Sequence, residues 1–204
     1  MSGADPAPDA DLIARSLREP AVFGALFERH FDAVFGYFAR RVPRPEAGDL
    51  AAETFRVAFD ARTGFDPARA RARPWLYGIA TNVLRHHLRS QGREGAALRR
   101  LAPVPDRVDA EEAARVAAID AATRWPAVAA ALATLAPHDR EALLLLAWEG
   151  LGYAEIAEAT GVPVGTVRSR IHRARRQVRE LIDGTGQLPD DTHPLVPEEA
   201  TDHG

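Results

Sequence analysis

Apolar positions recur at steps of three and four along most of the 204 residues. Few stretches alternate with period two, so the pattern predicts an all-α protein. Between residues 22 and 42, Phe23, Leu26, Phe27, Phe31, Val34, Phe35 and Phe38 make one aromatic-rich stripe, which Pro43 and Pro45 stop. A second helix is predicted from about Pro45 to Ala61, with Leu50, Phe55 and Phe59 facing inward. Gly64 and Pro67 mark a loop, and Trp75 to Ser90 reads as a third helix carrying Trp75, Leu76, Ile79, Val83 and Leu88. Periodicity then fades: Pro103 and Pro105 interrupt a segment charged by Asp106, Asp109, Glu111 and Glu112, read as a flexible acidic linker with a short helix near 110–122. Two more helices, 125–135 and 138–148, flank Ala136-Pro137. The layout expected is two small helical domains, 20–92 and 123–182, joined by the linker 93–122. The ends, 1–19 and the acidic stretch 183–204, are expected to be disordered.

The last helical pair has a sharper signature. Tyr153 to Ala159 forms a short helix with Ile156 and Ala157 inward, and Thr160-Gly161 ends it, since glycine accepts the left-handed conformation that closes a helix. Val162-Pro163 makes the turn, and proline suits a helix start because it has no amide hydrogen to lose there. The next helix carries Val167, Ile171, Ala174, Val178 and Leu181 as its packing stripe, with Ala157 and Gly165 as small residues for the crossing. Its other faces present Thr166, Arg168, Ser169, Arg170, His172, Arg173, Arg175, Arg176 and Arg179. This is a helix-turn-helix: residues near the start of the second helix can reach base edges in the major groove, and those farther along can hold phosphates.

Charge changes the picture more than composition does. The net charge is only −3, yet from Arg62 to Arg100 nine arginines face only Asp66 and Glu94, and from Val164 to Ile182 six face only Glu180. Two basic blocks on an otherwise acidic chain point to two anion-binding faces. All 26 basic residues are arginine, which suits bidentate contacts, although a GC-rich genome accounts for the bias as simply. Cysteine is absent, which excludes disulfides, thiolate catalysis and thiolate zinc sites. The longest apolar stretches, such as Leu143 to Trp148, are too short to span a bilayer, and residues 1–11 lack the layout of a secretory signal. A cytoplasmic location without membrane insertion is the expectation.

Residues 141–175, from Glu141-Ala-Leu-Leu-Leu-Leu through Glu149-Gly-Leu-Gly-Tyr-Ala-Glu-Ile-Ala to Val167-Arg-Ser-Arg-Ile-His-Arg-Ala-Arg175, resemble region 4 of the extracytoplasmic-function sigma factors, a branch of the sigma-70 family. Independently, Asp49-Leu50 with Glu53-Thr54-Phe55 resembles region 2.2, and Trp75-Leu76-Tyr77-Gly78-Ile79-Ala80 with Asn82 resembles regions 2.3 and 2.4. The resemblance covers about residues 20–182. It implies that the first domain binds the β′ clamp helices of core RNA polymerase and the −10 promoter element, and the second the −35 element and the β flap. Carried over residue by residue, it implies −35 base contacts by Arg168, Ser169, His172 and Arg173, with Thr166, Arg170 and Arg175 near the backbone. Asn82, Arg85, His86 and Arg89 fall on the −10 face, and residues 62–72 on the loop that captures an extruded base, with Arg69, Arg71 and Arg73 as phosphate contacts. Asp49, Glu53 and Phe55 fall on the polymerase-binding helix. The resemblance also implies an anti-sigma factor as a partner.

Three positions depart from the family pattern: Ala52 stands where glutamine is common, Ala72 where an aromatic is common, and His86 where an acid is frequent. Trp75 and Tyr77 suit either base stacking or a core anchor. The acidic linker and tail are expected to screen the basic faces of the free protein. Two other readings compete. A response-regulator type DNA-binding protein would need a parallel-stranded phosphoacceptor domain upstream, which an all-helical first half does not provide. An enzyme would need a catalytic set, but His86 and His87 diverge by about 100° on a helix, and no Ser/His/Asp set, phosphate loop or zinc spacing accompanies His30. No catalytic residue, cofactor or metal is therefore expected.

Overall fold

The structure is a computed structural model that describes residues 7–66, 71–91 and 125–183. Helices dominate these residues, as the three-and-four spacing requires. The first, α1 (Asp9–Ser16), falls within the stretch 1–19 expected to be disordered, of which residues 1–6 lie outside the described residues. Asp9 and Asp11 sit in its first turn, where they complement the helix dipole. Leu12 and Ile13 are buried, and the Asp9 carboxylate accepts hydrogen bonds from Arg29 at 2.5 Å and His30 at 2.7 Å. Eight residues are too few for a clear apolar period, and the tertiary partner that stabilises them lies on the next helix.

A 3₁₀ turn, Pro20–Val22, leads into α2 (Phe23–Ala39), followed by α3 (Arg44–Ala61) and α4 (Ala72–Ser90). Phe23, Leu26, Val34 and Phe38 of α2 are buried as expected, and so is Tyr37, whose hydroxyl lies 3.2 Å from that of Thr81. Phe27, Phe31 and Phe35 differ from expectation, because the apolar stripe is wider than the groove between α3 and α4. Phe27 remains 37% exposed, and the rings pack at the rim: Phe27 lies 4.8 Å from Phe31 and 4.9 Å from Phe55. Helix α4 begins three residues before the expected Trp75, with Pro74 in its first turn, where its missing amide costs nothing. Buried Ala72 starts it, which leaves no room there for the aromatic common in the family pattern.

The second half comprises α5, described over 125–134, α6 (Pro137–Ala147), α7 (Tyr153–Thr160) and α8 (Val164–Asp183). Trp125, Val128, Leu132, Leu135, Leu143, Leu144, Trp148, Ala174 and Val178 form one local apolar cluster. The rest of the core crosses between the halves. Ala142, Leu145, Leu151, Ile156, Val167 and Ile171 belong to the same hydrophobic cluster as Leu26, Phe38, Leu76 and Tyr77. Sequence periodicity shows that each half has an apolar face, but not that the two faces meet. The linker 93–122 and the tail 184–204 lie outside the described residues.

Candidate nucleic-acid interface

The turn between α7 and α8 has the form its sequence demands. Gly161 adopts φ 67° and ψ 28°, the left-handed conformation, and the Glu155 carboxylate caps the start of α7 by accepting the Gly152 N–H at 2.8 Å. Pro163 precedes α8, and its carbonyl accepts the N–H groups of Thr166 at 2.9 Å and Val167 at 3.2 Å. Val167, Ile171 and Ala174 are buried, so the inward face of α8 is set. The stripe then steps four residues from Val178 to buried Ile182, and Leu181 is 43% exposed. Gly165 is not a crossing point, since a Cβ built there meets nothing within 4 Å.

With that face seated, Arg168, Ser169, His172, Arg173 and Arg175 are exposed, and Thr166 and Arg170 half-buried. Ser169 Oγ donates to the Gly165 carbonyl at 3.0 Å. Arg173 is engaged rather than free: its Nε and an Nη donate to the two oxygens of Asp139 at 3.0 and 2.9 Å, and this forked bond raises the guanidinium pKa further.

Most of the −10 residues expected from sequence lie together on α4 and its approach. Asn82, His86 and Arg89 are exposed. Arg85 reaches the Glu141 carboxylate of α6, Arg73 donates to the Glu149 carbonyl, and the Arg71 N–H donates to Glu158 Oε1 at 2.6 Å. Trp75 packs on Phe65 at 5.0 Å between centroids and, with Gly78, Ile79, Asn82, Glu158 and Ala159, lines a cleft of about 270 Å³. Tyr77 is 3% exposed and is a core residue rather than a stacking platform. Arg69 lies outside the described residues.

On α3, Asp49 is exposed, and half-buried Glu53 is held below the usual carboxylate pKa by its hydrogen bonds from Arg56, at 2.6 and 2.7 Å. Phe55, at 4% exposed, is buried and packs against Phe27. Ala52 and His86, the departures from the family pattern on α3 and α4, are both exposed.

The feature that sequence reasoning missed is a seam of ion pairs between the halves. Glu149, 4% exposed, accepts from Arg40 at 2.6 Å, from Arg41 at 3.2 Å and from the Tyr77 hydroxyl at 3.2 Å. Burial, with the carboxylate beside it as a lesser cause, pushes the Tyr77 phenol up to about 12. Arg41 also donates to the Tyr37 carbonyl at 2.6 Å and lies over the Tyr37 ring at 3.8 Å. The one hint in sequence is position: Glu149 directly follows the apolar run ending at Trp148, where a charge would ordinarily mark an exposed helix end.

The model of "Sigma-70 region 2" matches residues 26–94, and that of "Sigma-70, region 4" matches residues 126–178. The chain is 35% identical over 158 residues to the ECF RNA polymerase sigma factor SigE of Mycolicibacterium smegmatis, covering 77% of this chain and 60% of that protein. It therefore spans less than two thirds of that relative's length. With the RNA polymerase sigma factor CarQ of Myxococcus xanthus the identity is 34% over 167 residues, covering 78% of this chain and 88% of CarQ. Among solved structures, CnrH in complex with the cytosolic domain of CnrY is similar at 28% identity and a TM-score of 0.58, covering 86% of this chain and 97% of that one.

Proposed function

Because this chain belongs to the sigma-70 family, in its extracytoplasmic-function branch, we propose that it binds core RNA polymerase and directs initiation at promoters by reading two DNA elements. The observation that carries this reading is the outer edge of α8, where Arg168, Ser169 and His172 are exposed while Val167, Ile171 and Ala174 seat the helix. A helix held this way fits the major groove, where arginine donates two bonds to a guanine edge. Arg168, Ser169, His172 and Arg173 are the base readers of the −35 element. Thr166, Arg170 and Arg175 position the helix on the backbone.

The −10 element is met by α4 through Asn82, Arg85, His86 and Arg89, with Arg69, Arg71 and Arg73 on phosphates. Extruding a base during melting costs a few kcal/mol, which a receiving pocket offsets. The cleft at Trp75 and Asn82 is the candidate pocket. Core polymerase is bound by α3 through Asp49 and Glu53, beside the partly exposed ring of Phe27, with its β′ clamp helices on this half and its β flap on the other. CnrH was solved with the cytosolic domain of CnrY, and the further partner proposed here is an anti-sigma factor. The role is non-enzymatic and cytoplasmic. Among the described residues no helix is long and apolar enough to cross a membrane.

Reconstitution with core RNA polymerase on a library of randomised promoters tests the reading. Transcribed templates should share two conserved blocks at a fixed spacing. A chain that does not associate with core polymerase would overturn it.

A further inference from the structure

Asp139 stands in the first turn of α6 and brings a negative charge to a surface that, in the proposed reading, approaches phosphates. The helix dipole favours an acid there, but a dipole does not aim both carboxylate oxygens at one side chain. Arg173 Nε donates to Asp139 Oδ2 at 3.0 Å and Arg173 Nη2 to Oδ1 at 2.9 Å. The acid is on the inner side of this pair, since its side chain is 13% exposed and that of Arg173 53%. Beneath it, Leu144 of α6 and Ala174 of α8 are buried in one apolar cluster, so packed helices hold the two partners in place.

A guanidinium carries five N–H groups in a planar fork. The bond to Asp139 uses its side-on edge, Nε with one hydrogen of Nη2. That leaves the end-on edge, the parallel N–H groups of Nη1 and Nη2, and two parallel N–H groups are what O6 and N7 of guanine accept. We infer that Asp139 is a positioning residue that determines specificity, holding Arg173 side-on so that its end-on edge meets a guanine of the −35 element. Asp139 has this role only if Arg173 reads a base as proposed. An arginine held before binding loses little rotamer freedom on binding, and its fixed plane penalises any base without two acceptors in line. The carboxylate also offsets the attraction of Arg173 for phosphate, so the pair contributes selectivity rather than general affinity. Arg168, which has no ion-pair partner among the described residues, lacks this constraint. A pair this exposed on one side adds little to stability, so base selectivity is the sensitive readout.

The test uses the full chain reconstituted with core RNA polymerase on templates randomised in the −35 block. Asp139→Asn keeps the side-chain shape and removes the forked acceptor. Preference for guanine at one position of the block should fall about tenfold, and Arg173→Ala should lose its preference at that same position. The double variant should lose no more than Arg173→Ala alone, because the two side chains act as one unit. Other positions, including the one read by Arg168, should keep their preference, and the urea midpoint should not move. Templates with an unrelated −35 block should be bound more tightly by Asp139→Asn, with a log–log salt slope steeper by about one, as the released Arg173 reaches a phosphate. Preference lost in Arg173→Ala but intact in Asp139→Asn would overturn the positioning role and leave Arg173 a reader. An even loss across the block with a lowered urea midpoint would reduce Asp139 to a helix-dipole residue and sink the inference. Sharper selectivity in Asp139→Asn would do the same, by showing that the carboxylate withholds Arg173 from DNA. Unchanged preference in Arg173→Ala would remove Arg173 from base reading, and the role of Asp139 with it.

Discussion

Arginines of identical chemistry separate into classes once their surroundings are known. Arg168 is exposed near the start of α8, whereas Arg175 is exposed two turns farther on. The first should discriminate bases and the second should hold phosphate. Arg168→Ala is expected to cost about 1–3 kcal/mol on the preferred −35 sequence and to relax that preference. Arg175→Ala should weaken binding to all sequences alike and reduce the log–log salt slope by about one. Titrating a pool of duplexes at several salt concentrations checks both, and a uniform loss from Arg168→Ala would remove it from base reading. The amphipathic pattern alone makes the outward cations visible, because a buried stripe of Val167, Ile171 and Ala174 leaves only the other faces for charge. It does not separate a free cation from an engaged one: Arg173 is tied to Asp139, 34 positions away. Phe55 shows the same limit, since its spacing identifies a helix face but not which partner covers it.

At the level of elements, local signals suffice wherever the determinant is itself local. Gly161 is the clearest case, a left-handed residue at φ 67° between two helices. Gly161→Ala should destabilise the chain by about 1–2 kcal/mol, the cost of placing a Cβ in that conformation. Gly165→Ala is the control: its Cβ meets nothing within 4 Å and a helical alanine is favoured, so it should be neutral or slightly stabilising. Urea unfolding of the two variants compares them directly, and equal effects would contradict the turn geometry. The starts of α3 and α4 are legible to within a few residues from their prolines. Helix α1 is not, because its two buried apolar residues, Leu12 and Ile13, gain their stability from α2 rather than from any repeat of their own.

The whole molecule carries what no single segment shows, a continuous core and a polar seam between two helical halves. Tyr77 lies in that seam, and its raised pKa gives the seam a pH dependence. The folded chain favours the neutral phenol, so this contribution is complete below the ordinary tyrosine value of 10.0 and is lost as pH rises from there to about 12. Stability of the native chain should therefore fall relative to Tyr77→Phe across that window, measured by urea unfolding at successive pH values. Parallel curves would show that Tyr77 does not titrate with folding. By itself the sequence determined the all-helical class, the helix-turn-helix, the outward arginines of α8 and the two stretches that match sigma-70 regions, since helical period, glycine and proline act over a few residues. Only the tertiary structure decided that the halves share a core, that Phe55 and Tyr77 are buried, and that Arg85 meets Glu141. It alone placed Glu149 against Arg40, 109 positions earlier. Such pairings are set by which apolar faces exclude water together and which charges are left to neutralise one another where they meet, and a pattern with a period of 3.6 residues holds no information about either.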